Sequence, residues 1–196
     1  MSKIGLFGGT FDPVHTGHIK LAELVRERFS LDRIIFIPAG NPPHKTNKKT
    51  ADKSHRFNMV KLANEGFPFF EVSDFDIKRD EPNYSYVTIS HFKEKFPEDE
   101  IFFIVGGDSF AELPQWKKPE LLMSLCTFIV VSRPGIKKDD YLKNYDGVKP
   151  NALFLDDAKY DISSTEIREK LINNLHIGGL VPSCVEEYIK TNKLYL

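Results

Sequence analysis

Six short apolar runs set the main constraint on this chain: Lys3–Gly8, Arg33–Pro38, Phe69–Ser73, Glu100–Val105, Thr127–Ser132 and Ala152–Leu155. They are rich in β-branched and aromatic residues and show little polar alternation, so they read as strands buried on both faces. The stretches between them carry helical spacing. His18, Leu21, Ala22, Val25 and Phe29 recur three and four residues apart, Ser54–Glu65 reads as a second helix, and Ile89, Phe92 and Phe96 mark a third that starts near Tyr84. Two more helices follow the sixth run, each with a capping-box pattern, Ser163-x-x-Glu166 and Ser183-x-x-Glu186. This alternation calls for an α/β fold, a Rossmann-like, mostly parallel sheet with helices on both faces and right-handed crossovers. A chain of 196 residues, 41% hydrophobic, can build one such domain over 1–196, with the last helices (about 163–196) packed on as a C-terminal helical subregion. Lys137–Asn151 is the candidate surface insertion.

Charge and composition exclude several classes of partner. Lys plus Arg is 27 and Asp plus Glu is 28, a net charge of −1, so no global field recruits nucleic acid or an acidic membrane. No run approaches the ~18 apolar residues of a membrane span, and the N-terminal run resembles a strand rather than a secretory signal, which points to a cytoplasmic protein. Cys126 and Cys184 lie far apart in apolar stretches; one disulfide is conceivable, but two buried reduced thiols suit that compartment better.

The unusual sequence falls just after strands: Gly8–His18, Pro38–Lys45, Gly106–Trp116 and Ser132–Gly135, joined by Ile162–Arg168. In a parallel sheet these segments gather on one edge, where ligands bind. In the first, glycines after a buried strand allow a tight turn and close approach to a phosphate, and Gly17 stands where free N–H groups of the next helix point into the loop. His15 and His18, three apart across that junction, can both face one crevice and donate to phosphate oxygens. A Rossmann dehydrogenase would need G-x-G-x-x-G and an acidic end to the second strand, and a P-loop would need G-x-x-x-x-G-K-[ST]; the sequence has none of these. No further Cys/His cluster completes a metal site, so no protein-held metal is expected.

The run Gly8-Gly9-Thr10-Phe11-Asp12-Pro13-x-His15-x-Gly17-His18 resembles the H-x-G-H nucleotidyltransferase superfamily. More narrowly, the chain is similar to the bacterial nicotinate mononucleotide adenylyltransferases. Pro42-Pro43-His44-Lys45, Arg56 with Met59, Tyr84-Ser85 with Thr88, Gly106-x-Asp108, Leu113-Pro114-x-Trp116, Arg133-Pro134-Gly135 and Ser163-Ser164-Thr165-x-Ile167-Arg168 follow in that family's order. The resemblance implies a nucleotidyltransferase-type fold and the reaction of ATP with nicotinate mononucleotide to give the dinucleotide and pyrophosphate. It implies Mg²⁺ carried by ATP with no dedicated protein ligands, and it leaves a homo-oligomer open.

By the same resemblance His15 and His18 are catalytic and act on the ATP phosphates. Gly8, Gly9, Thr10 and Gly17 form the cradle, Gly106 and Asp108 meet the adenosine ribose, and Ser164, Thr165 and Arg168 bind ATP phosphates. Lys45, Tyr84, Ser85 and Trp116 serve the mononucleotide, with Trp116 stacked on the pyridine ring. Arg56 and Arg133 are weaker candidates, each readable as an ion pair. Two departures stand out. Val87 replaces the family's Asp, removing a carboxylate that could fix the start of that helix, and Gly107 replaces an alanine, which should loosen the turn. A pantetheine-phosphate adenylyltransferase-like enzyme and a non-catalytic nucleotide-binding module are the rival readings; His15 and the C-terminal 30 residues oppose the first, His18 and Arg168 the second.

Overall fold

All six apolar runs form strands of one sheet. The computed structural model describes residues 1–41, 50–132, 135–145, 150–156 and 162–195. Within them β1 (Lys3–Gly9), β2 (Arg33–Pro38), β3 (Phe70–Val72), β4 (Glu100–Gly106), β5 (Thr127–Val131) and β6 (Ala152–Leu155) pair in the order β3-β2-β1-β4-β5-β6, every pair parallel. Parallel neighbours require crossovers, and helices supply them. They are α1 (Thr16–Arg28), α2 (Lys53–Asn64), α3 (Ser85–Lys95), α4 (Gly107–Ala111), α5 (Pro119–Leu125) and α6 (Lys138–Leu142); α7 (Ser164–Ile172) and α8 (Ser183–Thr191) follow the last strand.

The pleat divides the apolar residues into two cores. Ile4, Leu6, Ile35, Ile37, Phe103, Val105, Phe128 and Val130 pack on one face with Ile89, Phe92, Phe110, Leu122 and Tyr141 from α3 to α6. Phe7, Ile34, Phe36, Phe102, Ile104 and Ile129 pack on the other with Ala22, Val25, Met59, Ile167, Val185 and Ile189 from α1, α2, α7 and α8. Alternate residues of single strands therefore serve opposite cores, which is why the runs lack polar positions.

Several sequence-level expectations change in detail. Ser163 caps α7 as expected, its hydroxyl accepting the Glu166 N–H at 3.1 Å. The second capping box does not form: Ser183 is already helical, and the Pro182 carbonyl takes the Val185 and Glu186 N–H groups. The helices α4, α5 and α6 have only five to seven residues, too few for periodicity to show. Lys137–Asn151 is not a mere surface insertion, because α6 puts Tyr141 in the core and the Tyr145 hydroxyl donates to the Phe110 carbonyl at 2.5 Å. Both cysteines are free thiols, and burial pushes Cys126 up to about 12. Among the described residues no helix is long and apolar enough to cross a membrane.

Gly107 does not loosen the turn after β4 as its sequence context suggests. It is buried at the start of α4, and a Cβ there would fall on the ring of Tyr141. The glycine and the tyrosine form a packed pair. We expect Gly107→Ala to lower the free energy of unfolding by about 1–3 kcal/mol, the usual cost of overpacking. Placed in a Tyr141→Ala background the same substitution should cost far less, a non-additivity that a denaturant double-mutant cycle reads directly.

Candidate active site

The strand order turns back on itself at β1: the chain runs outward through β2 and β3, then returns to place β4 on the other side. Crossovers leaving in opposite directions open a crevice at the carboxyl ends of β1 and β4, the usual ligand site of such sheets. Two cavities occupy it. The larger, about 540 Å³, is mainly apolar, and Gly8, Gly9, Thr10, Tyr84, Ser85, Gly106 and Trp116 are among its walls. The smaller, about 190 Å³, is mainly polar and is lined by Thr10, Phe11, Asp12, His18, Thr50, Ser164, Thr165 and Arg168. Thr10 belongs to both.

The loop after β1 shapes this junction. Gly8 and Gly9 still lie in the strand, and the sharp reversal falls on Phe11, whose φ of 49° is left-handed. Gly9 contributes space instead, since a Cβ there would come within 2.8 Å of the Phe11 ring. Arg56 holds the loop from behind. It is 2% exposed and donates to three carbonyls, Thr10 at 2.7 Å, Ala51 at 3.1 Å and Gly40 at 3.3 Å. It is therefore a strut between loops, neither a surface ion pair nor a group open to a ligand.

The two histidines divide their work. The His15 backbone N–H donates to Nδ1 of His18 at 3.2 Å, which leaves the His18 proton on Nε2. Their rings stack at 3.6 Å between centroids, and His18 lies edge-on to Phe11 at 5.0 Å. Only His18 lines the polar cavity; His15 is buried behind it, its Nδ1 without a hydrogen-bond partner among the described residues. The expectation that both imidazoles face the crevice is corrected accordingly. Burial lowers His15 to about 4 and carries His18 well below its ordinary value, with the His15 charge adding to the effect.

Opposite, Arg168 donates from Nη1 to the Asp12 carbonyl at 2.7 Å and from Nη2 to Thr165 Oγ1 at 3.2 Å, so part of its fork is anchored to protein. Ser164 spends its hydroxyl on the Pro13 carbonyl at 2.9 Å. Gly17 is buried at the start of α1, close against His15. Asp108 is exposed on α4 and does not line the large cavity, whereas Ser109 does. Lys45 and Arg133 lie outside the described residues.

At the far end of the large cavity α3 begins. The N–H groups of Ser85 and Tyr86 have no acceptor within the helix, as in any first turn. Sequence reasoning expected this start to lack a carboxylate because of Val87. Asp76 supplies one: it is 6% exposed, lines the cavity, and accepts the Thr88 hydroxyl at 2.8 Å. Burial raises its pKa, and the Thr88 hydrogen bond opposes the rise. Lys117 was also missed. Its ammonium lies 4.3 Å from the centre of the Tyr84 ring, on the wall that carries Trp116. Its place directly after Trp116 was the available signal; Asp76 gave none.

Parallel α/β topology, a phosphate-sized polar cavity and an adjoining apolar one are the marks of a nucleotidyltransferase. Residues 6–170 match the model of the cytidylyltransferase-like family, so the chain is of that class. Among the relatives that cover it end to end are the probable nicotinate-nucleotide adenylyltransferases of Clostridium tetani (42% identical, all of both chains) and Bacillus pumilus (42% identical, all of this chain and 99% of the other). Within the class the chain belongs to the nicotinate-nucleotide adenylyltransferases. The fold agrees with that of a solved Plasmodium falciparum nicotinic acid mononucleotide adenylyltransferase complexed with NaAD (TM-score 0.81, 22% identical, all of this chain and 98% of the other).

The neutral histidines make stability depend on pH. An unfolded histidine gains a proton near 6.5, whereas His15 resists until about 4, so the native state binds fewer protons between those values. Folding stability tied to His15 is intact above pH 6.5 and is lost as pH falls, by up to about 3 kcal/mol. Urea unfolding of the wild type and of His15→Gln at pH 7 and pH 4.5 checks this: the variant should lose less.

Proposed function

We propose that this chain transfers the adenylyl group of ATP to nicotinate mononucleotide, releasing pyrophosphate and forming nicotinate adenine dinucleotide in NAD biosynthesis. The observation that carries the reading is the junction at Thr10, where an apolar cavity with an indole wall meets a polar cavity rich in anion donors. The mononucleotide lies with its pyridine against Trp116 and its phosphate toward Thr10. The triphosphate lies in the polar cavity, its terminal phosphates toward Thr165 and Arg168.

A mononucleotide phosphate is already anionic, so its oxygen attacks the α-phosphorus without a general base. As the new P–O bond forms, the bond to the pyrophosphate oxygen breaks and charge moves onto that leaving group. Nε2–H of His18 and the unspent donors of Arg168 stabilise it, in a geometry set before the substrates arrive. His15 acts through His18 by stacking on it and, from its main-chain N–H, fixing its tautomer. Mg²⁺ carried with ATP would supply charge neutralisation of the phosphates. The cavity donors suit an anion, and among the described residues no three His, Cys, Asp or Glu side chains stand close enough to hold a metal. Gly106, in the wall of the large cavity, is assigned to the adenosine ribose. We read residues 1–196 as a single cytoplasmic catalytic unit.

Removing one donor to developing charge costs about 10²–10³ in kcat, and His18→Ala should lose that much with its fold intact. ATP–pyrophosphate exchange with candidate mononucleotides measures it, and more than half of wild-type turnover in the variant would refute the phosphate role.

Acid is preferred over amide at the pyridine end. The first-turn N–H groups of α3 and the Lys117 ammonium donate and cannot accept from a carboxamide N–H₂; the Ser85 hydroxyl can turn to donate to a carboxylate, and the Asp76 carboxylate in the same wall already accepts the Thr88 hydroxyl. We expect at least about tenfold higher kcat/KM for nicotinate than for nicotinamide mononucleotide, and Trp116→Ala to reduce both alike. Equal values at one pH and ATP level would remove the specificity claim and leave adenylyl transfer in place.

A further inference from the structure

Asp12 is a buried acid that draws together distant parts of the chain. It is 3% exposed, sits in the wall of the polar cavity, and takes no part in the transfer step. Its Oδ1 accepts two hydrogen bonds, from the Ala51 N–H at 3.0 Å and from the Tyr195 hydroxyl at 2.7 Å. Its main-chain carbonyl accepts from Arg168 at 2.7 Å, and Oδ2 stands 3.7 Å from the same guanidinium. The partners come from three separated parts of the chain, the segment entering α2, α7 and the last described residues, and meet on the loop after β1.

Tyr195 closes this set from more than 180 positions away. Its backbone is left-handed, with φ of 66°, and Leu194 and Tyr195 both pack against the core beneath α1 and α2. Burial and the facing Asp12 raise its pKa, so the hydroxyl remains a donor throughout the working pH range. A hydroxyl held there can only orient the carboxylate, since the polar cavity is lined by Asp12 and not by Tyr195.

We propose that Tyr195 is a positioning residue for the ATP half of the site: by donating to Asp12 Oδ1 it fixes the carboxylate that holds Ala51 and faces Arg168. The distal segment thus sets both the guanidinium that meets the triphosphate and the place of Ala51 ahead of α2. The pyridine end of the mononucleotide half does not depend on it, because Trp116, Ser85 and Lys117 stand on α3 and the segment after α4. The inference rests on the adenylyl-transfer reading for the identity of the ligand.

Tyr195→Phe tests it, since the ring stays and only the donor goes. Loss of one hydrogen bond to a charged acceptor should raise KM for ATP about tenfold, with KM for nicotinate mononucleotide within about twofold and the thermal midpoint little changed. Titration with α,β-methylene-ATP in the absence of mononucleotide should show the same weakening. Tyr195→Ala should do no less. Unchanged affinity for the ATP analogue in Tyr195→Phe, or equal losses for both substrates, would overturn the proposal. So would failure of both variants to fold, because the segment would then serve stability alone. Wild-type enzyme is assayed alongside: its failure to form the dinucleotide would refute the adenylyl-transfer reading, a result distinct from any difference between variants.

Discussion

The parallel pairing of β1 with β4 is the constraint on which the other features of this molecule hang. Lys3–Phe7 lie in register with Glu100–Ile104, and each strand sends alternate side chains to opposite cores. A slip of one residue would exchange Leu6 and Phe7 between faces and break both cores at once, so the register is strongly held. With the strands held, the following loops must separate, because one leads to α1 and the other to α4 on opposite faces. The crevice is a consequence of that divergence. It is lined by backbone because Gly8, Gly9 and Gly106 stand where side chains would otherwise fill it.

What turns a crevice into a site is the placement of two unlike cavities end to end. The apolar one inherits its walls from strand ends and Trp116; the polar one is assembled from loops. Loops need fixing, and here buried charge does it. Burying Arg56 would be costly without partners, but three carbonyls receive its N–H groups, and charge-assisted hydrogen bonds of that kind offset the loss of water. Asp12 plays the complementary part as an acceptor. Together they tie the loop after β1 to Gly40, to Ala51 and to α7. The stacked histidines then stand against a frame held by buried hydrogen bonds, the support that preorganised donors require.

Some of the site was legible because its signal is local. Strand, glycine loop, His18 and helix start are contiguous, so their order alone implied a phosphate cradle. Other parts were legible only in type. Arg56 was recognisable as an unusual arginine, yet its role depends on carbonyls from residues 10, 40 and 51 that no spacing brings together. Asp76 replaces the carboxylate missing at Val87, from a turn eleven residues earlier in the chain. His15 and His18 look equivalent in sequence, and the helix geometry alone puts one in the cavity and the other behind it.

The sequence by itself determined the strands, the long helices, the class of chemistry and the edge of the sheet where it happens. Those follow from hydrophobic period and from motifs a few residues long, which act through local backbone geometry. The tertiary structure alone decided which charged groups are struts and which face a ligand, that Tyr141 fills the space above Gly107, and that Tyr195 reaches Asp12. These are contacts between segments far apart in the chain, set by how two cores pack against one twisted sheet, and packing at that range leaves no periodic trace in the order of residues.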